Sequence, residues 1–284
     1  MSAPRIAVVV RPEQSPEDLV RHARYADEVG IEEVWLWEDC FFGGGIATAA
    51  TVLASTERLG VAIGVLPTPM RNTAITAMEV SALARAHPDR LRVGFGHGVQ
   101  SWMRQIGAKA ESPLTLLREQ FGAVERLLRG ESVTVSGRYV NLTDVELAWP
   151  PEKVPQLLVG ATGPKTLALS GELAQGTVLS GGTTPDGVRR AIAHIGTQDH
   201  EVVVYVICAF GSGGRERALA EALGSGCESP EEAIAVGTAA DVAAAAQRWA
   251  DAGATTVVLQ PTVDEPDVRE FIRLVAQEVQ PFLA

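Results

Sequence analysis

The sequence predicts an α/β chain folded as a (β/α)8 TIM barrel, a single domain with small insertions. Three observations lead there. Short apolar runs rich in Val, Leu and Ile recur along the chain, the pattern of parallel strands covered on both faces. Amphipathic helical stretches lie between successive runs, so strand and helix alternate. Eight such runs fit into 284 residues, a length at which such barrels are commonly one domain. A doubly wound open sheet is the alternative if the strand count is off by one.

The strands are read at 5–10 (RIAVVV), 33–37 (EVWLW), 59–65 (LGVAIGV) and 91–96 (LRVGFG). They continue at 155–160 (PQLLVG), 177–180 (TVLS), 201–209 (EVVVYVICA) and 255–260 (TTVVLQ). Helical patterns occupy roughly 16–29, 45–56, 74–87, 113–129, 164–174, 186–195, 239–252 and 267–279. Ser15-Pro16-Glu17 has the form of an N-cap with proline in the first turn, and Gly30 suits the end of that helix. VTVSGRYVNL at 133–142 alternates around Ser136-Gly137 and predicts a small hairpin. The glycine- and alanine-rich stretch from Gly211 to Gly237 predicts an extra helix and a mobile loop.

Composition narrows the function. Hydrophobic residues make up 46% and charged residues 21%, enough apolar side chain for a large core. No apolar stretch is long enough to span a bilayer, and the N-terminus lacks the pattern of a secretory leader. Cys40, Cys208 and Cys227 are odd in number and far apart, as expected of reduced thiols in a cytoplasmic protein. A formal net charge of -11 argues against nucleic acid as a partner. One anion held by a few local donors remains possible.

A barrel of this kind builds its site at the C-terminal ends of the strands. There the sequence places Arg11, Glu38-Asp39, Pro67 to Arg71, His97-Gly98, Gly160 to Gly163, Ser180-Gly181 and Gln260-Pro261. After the fifth strand, Ala161, Thr162 and Gly163 precede Pro164, which suits a first helical position because it has no amide to donate. Free amides at such a helix start attract an anion, and Lys165 adds a charge. An ordinary turn with Thr162 as N-cap is the competing reading. Glu38 and Asp39 follow the apolar VWLW, where burial shifts carboxylates towards acid/base use. The alternative is that one is solvated while the other caps a helix or pairs with Arg71. His97 between two glycines suits a ligand contact, and Trp102 is either a lid or a core aromatic. No metal-ligand spacing is present, so no metal site is expected.

Three stretches together resemble the luciferase-like flavin and deazaflavin oxidoreductases: 34–45 (VWLWEDCFFGGG), 57–98 (beginning ERLGVAIGVLPTPMRN) and 154–182 (beginning VPQLLVGATGPKT). Within that superfamily the chain is similar to enzymes like methylenetetrahydromethanopterin reductase, which use coenzyme F420. The resemblance implies one oxidoreductase domain over residues 1–284, transferring hydride between F420 and a small organic molecule. FMN in a two-component monooxygenase is the alternative. It implies a cis peptide at Gly64-Val65, phosphate contacts at Ala161, Thr162, Gly163, Lys165 and Thr166, and ring contacts near Glu38, His97, Gly98 and Ser180. It also implies a homodimer and a separate flavin or F420 reductase as electron supplier. Proton donation would fall to Glu38, Asp39 or His97. The chain departs from its relatives in reading Glu38-Asp39 where many carry Asp-His, and Arg71-Asn72-Thr73 where many carry Arg-His-Pro. Val99 stands at the glutamate of the sugar-phosphate dehydrogenases, which disfavours a sugar-phosphate substrate.

Overall fold

Arg5–Val9 form β1, whose last four residues are all buried, and Ser15 then opens α1 (Pro16–Val29) by accepting from the Asp18 amide. Gly30 ends that helix in the left-handed conformation at φ 89°. In this computed structural model, residues 4–283 are described; residues 1–3, on which part of the leader reading falls, lie outside them. The chain continues through β2 (Glu33–Leu36), α2 (Gly45–Ser55), β3 (Gly60–Pro67), α3 (Thr73–Ala86) and β4 (Leu91–Gly96). Next come α4 (Gln100–Gln105), α5 (Pro113–Leu128), β5 (Val133–Ser136), β6 (Asn141–Val145), β7 (Gln156–Gly160), α6 (Pro164–Leu173) and β8 (Gly176–Leu179). The remainder is α7 (Pro185–Ile195), β9 (Glu201–Phe210), α8 (Gly214–Gly224), β10 (Ile234–Gly237), α9 (Ala239–Asp251), β11 (Thr256–Pro261) and α10 (Val268–Leu274). A π-helical turn leads from α10 into α11 (Gln280–Leu283).

Eight parallel strands close the barrel in the order β1-β2-β3-β4-β7-β8-β9-β11, with β11 pairing back onto β1. All eight expected strands are present, and the open sheet is excluded by the closure. The hairpin β5–β6 forms a separate two-stranded sheet. Two elements were not foreseen. The short helix α4 follows β4, and β10 pairs in parallel with the last four residues of β9. The segment 211–237 thus holds a helix, as expected, and also a strand. That strand exists because β9 is ten residues long and leaves Ile207–Phe210 for a partner.

Side chains alternate along each strand, so one set fills the barrel and the other meets the helices. Ala7, Val9, Trp35, Ala62, Leu158, Val178, Val203, Tyr205 and Val258 make the inner core. Trp35 and Tyr205 meet edge to face, with ring centroids 5.7 Å apart. Towards the N-terminal end of the strands a line of charges crosses the barrel. Glu33 pairs with Arg92 at 2.9 Å, Arg92 with Glu201 at 2.6 Å, and Glu201 with Arg5 at 3.6 Å. Glu33 also accepts from the Trp35 indole at 2.7 Å, so these buried charges are compensated by partners.

Candidate active site

A cavity of about 500 Å³ opens at the C-terminal end of the strands. Its walls come from β2 (Trp37, Glu38, Asp39), β3 (Gly64, Val65), β4 (His97, Gly98), β7 (Ala161, Thr162), β8 (Ser180) and β11 (Gln260) or the residues that follow them. The two adjacent carboxylates have separate fates. Continuing the alternation past β2 puts Trp35, Trp37 and Asp39 on the inner side, and Leu36 and Glu38 on the helix side. Glu38 is buried and accepts from the Gly45 amide at the start of α2. Arg71 also clasps it, Nη2 to Oε2 at 2.6 Å and Nε to Oε1 at 3.2 Å. Both structural readings of a carboxylate here, the helix cap and the Arg71 pair, therefore fall on Glu38.

Asp39 makes no ion pair among the described residues. Burial and then the charge of Glu13 push its carboxyl up to about 6, with Trp37 and Arg11 pulling the other way. A carboxyl poised there can hold or release a proton near neutrality. His97 is kept neutral by burial, its value lowered, and its Nε2 lies 3.0 Å from the Thr166 hydroxyl. The imidazole thereby joins the end of β4 to the start of α6.

Val65 forms the back wall. The Gly64-Val65 bond is cis, as the resemblance implied, and the register between β3 and β4 shifts there. A Cβ on Gly94, Gly96 or Gly160 would come within 2.9, 2.5 or 2.8 Å of the Val65 side chain. These three glycines, on β4 and β7, leave the notch that Val65 fills. From the far side of the barrel, the buried Tyr205 hydroxyl donates to the Gly64 carbonyl at 3.0 Å. Sequence reasoning missed Tyr205; its inward position in the apolar EVVVYVICA was the available signal.

The mouth continues past Thr162 and Ser180 into a second cavity of about 520 Å³ beside the start of α6. Gly163, not Thr162, is the N-cap residue, and no side chain caps the helix. The Thr162 and Gly163 amides have no acceptor among the described residues, and Lys165 at the second helical position has none within the helix. Arg190 and His194 of α7 line the opposite side. Arg71 and Arg190 differ in what they leave free for an anion. Arg71 is occupied by Glu38 and Glu79, whereas Arg190 makes no ion pair among the described residues. Trp102 is half-buried on α4 and lines none of these cavities. No cluster of three or more potential metal ligands occurs among the described residues.

The family model for luciferase-like monooxygenases matches residues 2–254. The chain belongs to that family. It is 31% identical over 163 residues to a 5,10-methylenetetrahydromethanopterin reductase of Methanolobus tindarius, covering 57% of this chain and 49% of that protein. It spans about half the length of the curated relatives it matches. Among solved structures it is similar to the coenzyme F420-dependent tetrahydromethanopterin reductase of Methanopyrus kandleri, with a TM-score of 0.86, 20% identity and 100% of each chain covered. It is also similar to an F420-dependent secondary alcohol dehydrogenase solved with an F420-acetone adduct, with a TM-score of 0.87, 17% identity and 99% of each chain covered. At those identities the structural likeness concerns the fold. No helix among the described residues of this family member is long and apolar enough to cross a membrane.

Proposed function

We propose that the chain is one oxidoreductase domain that moves hydride between coenzyme F420 and a small organic substrate. The observation that carries this reading is the convergence at one mouth of three unlike features. These are free amides at the α6 start, an apolar wall at Val65, and a half-buried carboxyl at Asp39. The residues present fit such a group. Val65, backed by three glycines, offers a smooth face to a flat ring, and the Thr162, Gly163 and Lys165 amides suit a phosphate. Arg190, which lines the second cavity, and the exposed Lys165 at the α6 start are the cations nearest an anionic tail leaving the mouth there. F420, when bound, supplies a ring carbon that accepts or gives hydride.

The chain's own residues do the rest. Asp39 holds the proton exchanged with the substrate, while neutral His97 fixes Thr166 and the α6 start. Glu38 and Arg71 anchor the strand end that carries Asp39. This differs from the expectation that Glu38 shares the acid role, because Glu38 is already committed to Arg71 and α2. The homodimer, the separate reductase and a cytoplasmic location belong to the same proposal.

Titration of intrinsic tryptophan fluorescence with F420 and with FMN tests it. Tighter F420 binding, weakening as salt rises, is expected from a phosphate and tail held by amides and two exposed cations. Tighter FMN binding, with oxygen consumption once a flavin reductase is added, would give the site to a two-component monooxygenase.

A further inference from the structure

Arg11 follows β1 and Arg71 follows β3, and each is neutralised twice over. Arg11 is bonded to Glu13 at 2.8 Å and to Glu221 at 2.6 Å, and Arg71 to Glu38 at 2.6 Å and Glu79 at 2.9 Å. Neither guanidinium is left to meet an incoming anion. Beside Asp39, a further cavity of about 480 Å³ lies under the loop 40–44. Its apolar lining is Phe41, Phe42, Met70, Ile75 and Ile106, all exposed. Apart from Asp39, its charged and amide side chains are already spent: Glu38 and Arg71 on each other, and Asn72 on the Ala74 and Ile75 amides. The volume falls within the range of small-molecule sites.

We propose that this cavity is the substrate site and that its ligand is an uncharged, largely apolar molecule whose reacting atom lies at Asp39. Charge and continuity carry the assignment. An anion entering here would lose its hydration and gain no free cation from the residues that line the cavity, which disfavours it. An apolar ligand covers five exposed apolar side chains that water now touches. Asp39 lines both this cavity and the mouth, so a molecule in one reaches the wall of the other. The inference rests on the reading that the mouth holds the redox cofactor, and it adds the class of molecule that meets it.

A matched pair of fluorescent probes tests it on the intact chain. N-phenyl-1-naphthylamine is uncharged; 8-anilinonaphthalene-1-sulfonate has the same skeleton with one sulfonate. The uncharged probe should bind at least tenfold more tightly. Ile75→Arg, on an exposed helix position, should weaken it at least tenfold and strengthen the sulfonate, and Ile106→Arg should do the same. Equal or tighter sulfonate binding to the unaltered chain would overturn the proposal, as would indifference of both probes to both substitutions. So would light scattering showing a dimer whose dissociation on dilution uncovers the probe site, since a second copy would then cover this surface. F420 binding is titrated separately on each variant. Its loss in the unaltered chain counts against the proposed function, whereas retained F420 binding with failed probe selectivity counts against the substrate class alone.

Discussion

Arg71 reaches from the loop after β3 to Glu38 at the end of β2 and binds both carboxylate oxygens, at 2.6 and 3.2 Å. The carboxylate is buried and the guanidinium is mostly so. Removing one partner of such a pair strands the other charge, at a typical cost of about 3–5 kcal/mol. Arg71→Met should therefore lower stability in urea by about that amount. Adding Glu38→Gln should recover part of the loss. A double-mutant cycle that shows no coupling would mean the pair does not anchor this strand end.

Asp39 gives a prediction of opposite sign. Between an ordinary value of about 4 and its raised value of about 6, the folded protein keeps a proton that the unfolded chain has released. Stability therefore falls as pH rises through that window and stays lower above it. Asp39→Asn should be about 1–2 kcal/mol more stable than the parent at pH 8, allowing for solvent screening of a partly exposed group. The gain should shrink at pH 4. Turnover should fall at every pH. Thermal unfolding across pH, with turnover measured alongside, checks both halves.

Gly163 separates charge from shape. Its φ is -93° and no atom lies within 4 Å of where a Cβ would stand. Gly163→Ala should thus bind cofactor about as well as the parent. Gly163→Asp should weaken binding by tenfold or more, because its carboxylate occupies the anion position at the α6 start. Equal affinities for the two variants would remove the phosphate from this helix end.

Tyr205→Phe keeps the ring against Trp35 but takes the hydroxyl from the Gly64 carbonyl. A buried acceptor left without its donor costs about 1–3 kcal/mol. Chemical denaturation should show that loss. Unchanged stability would mean that another donor reaches Gly64.

Much of the framework could be read from the chain because parallel strands advertise themselves. Runs such as EVVVYVICA cannot be amphipathic helices, and glycine or proline marks most of their ends. β10 escaped because IAVG is four residues long and is made a strand by the overhang of β9, a tertiary cause. α4 escaped for a similar reason, being six residues with little periodicity. At the site, Gly163 and the glycines around Val65 were visible as small residues, but the notch they form was not. Glu38 and Asp39 could not be told apart because VWLW is apolar at every position and hides the phase of the alternation. Only the register of β2 in the closed barrel shows that the aspartate faces inward.

The charge line Glu33–Arg92–Glu201–Arg5 joins β2, β4, β9 and β1 at the end of the barrel far from the ligand. It ties strands that are not all neighbours, and none of its members lines the mouth. The barrel is thus pinned at one end by groups that take no part in binding. Loops at the other end are free to lengthen, shorten or exchange residues over evolutionary time without unpicking that brace. Diversification of chemistry and retention of shape are assigned to opposite poles of one molecule.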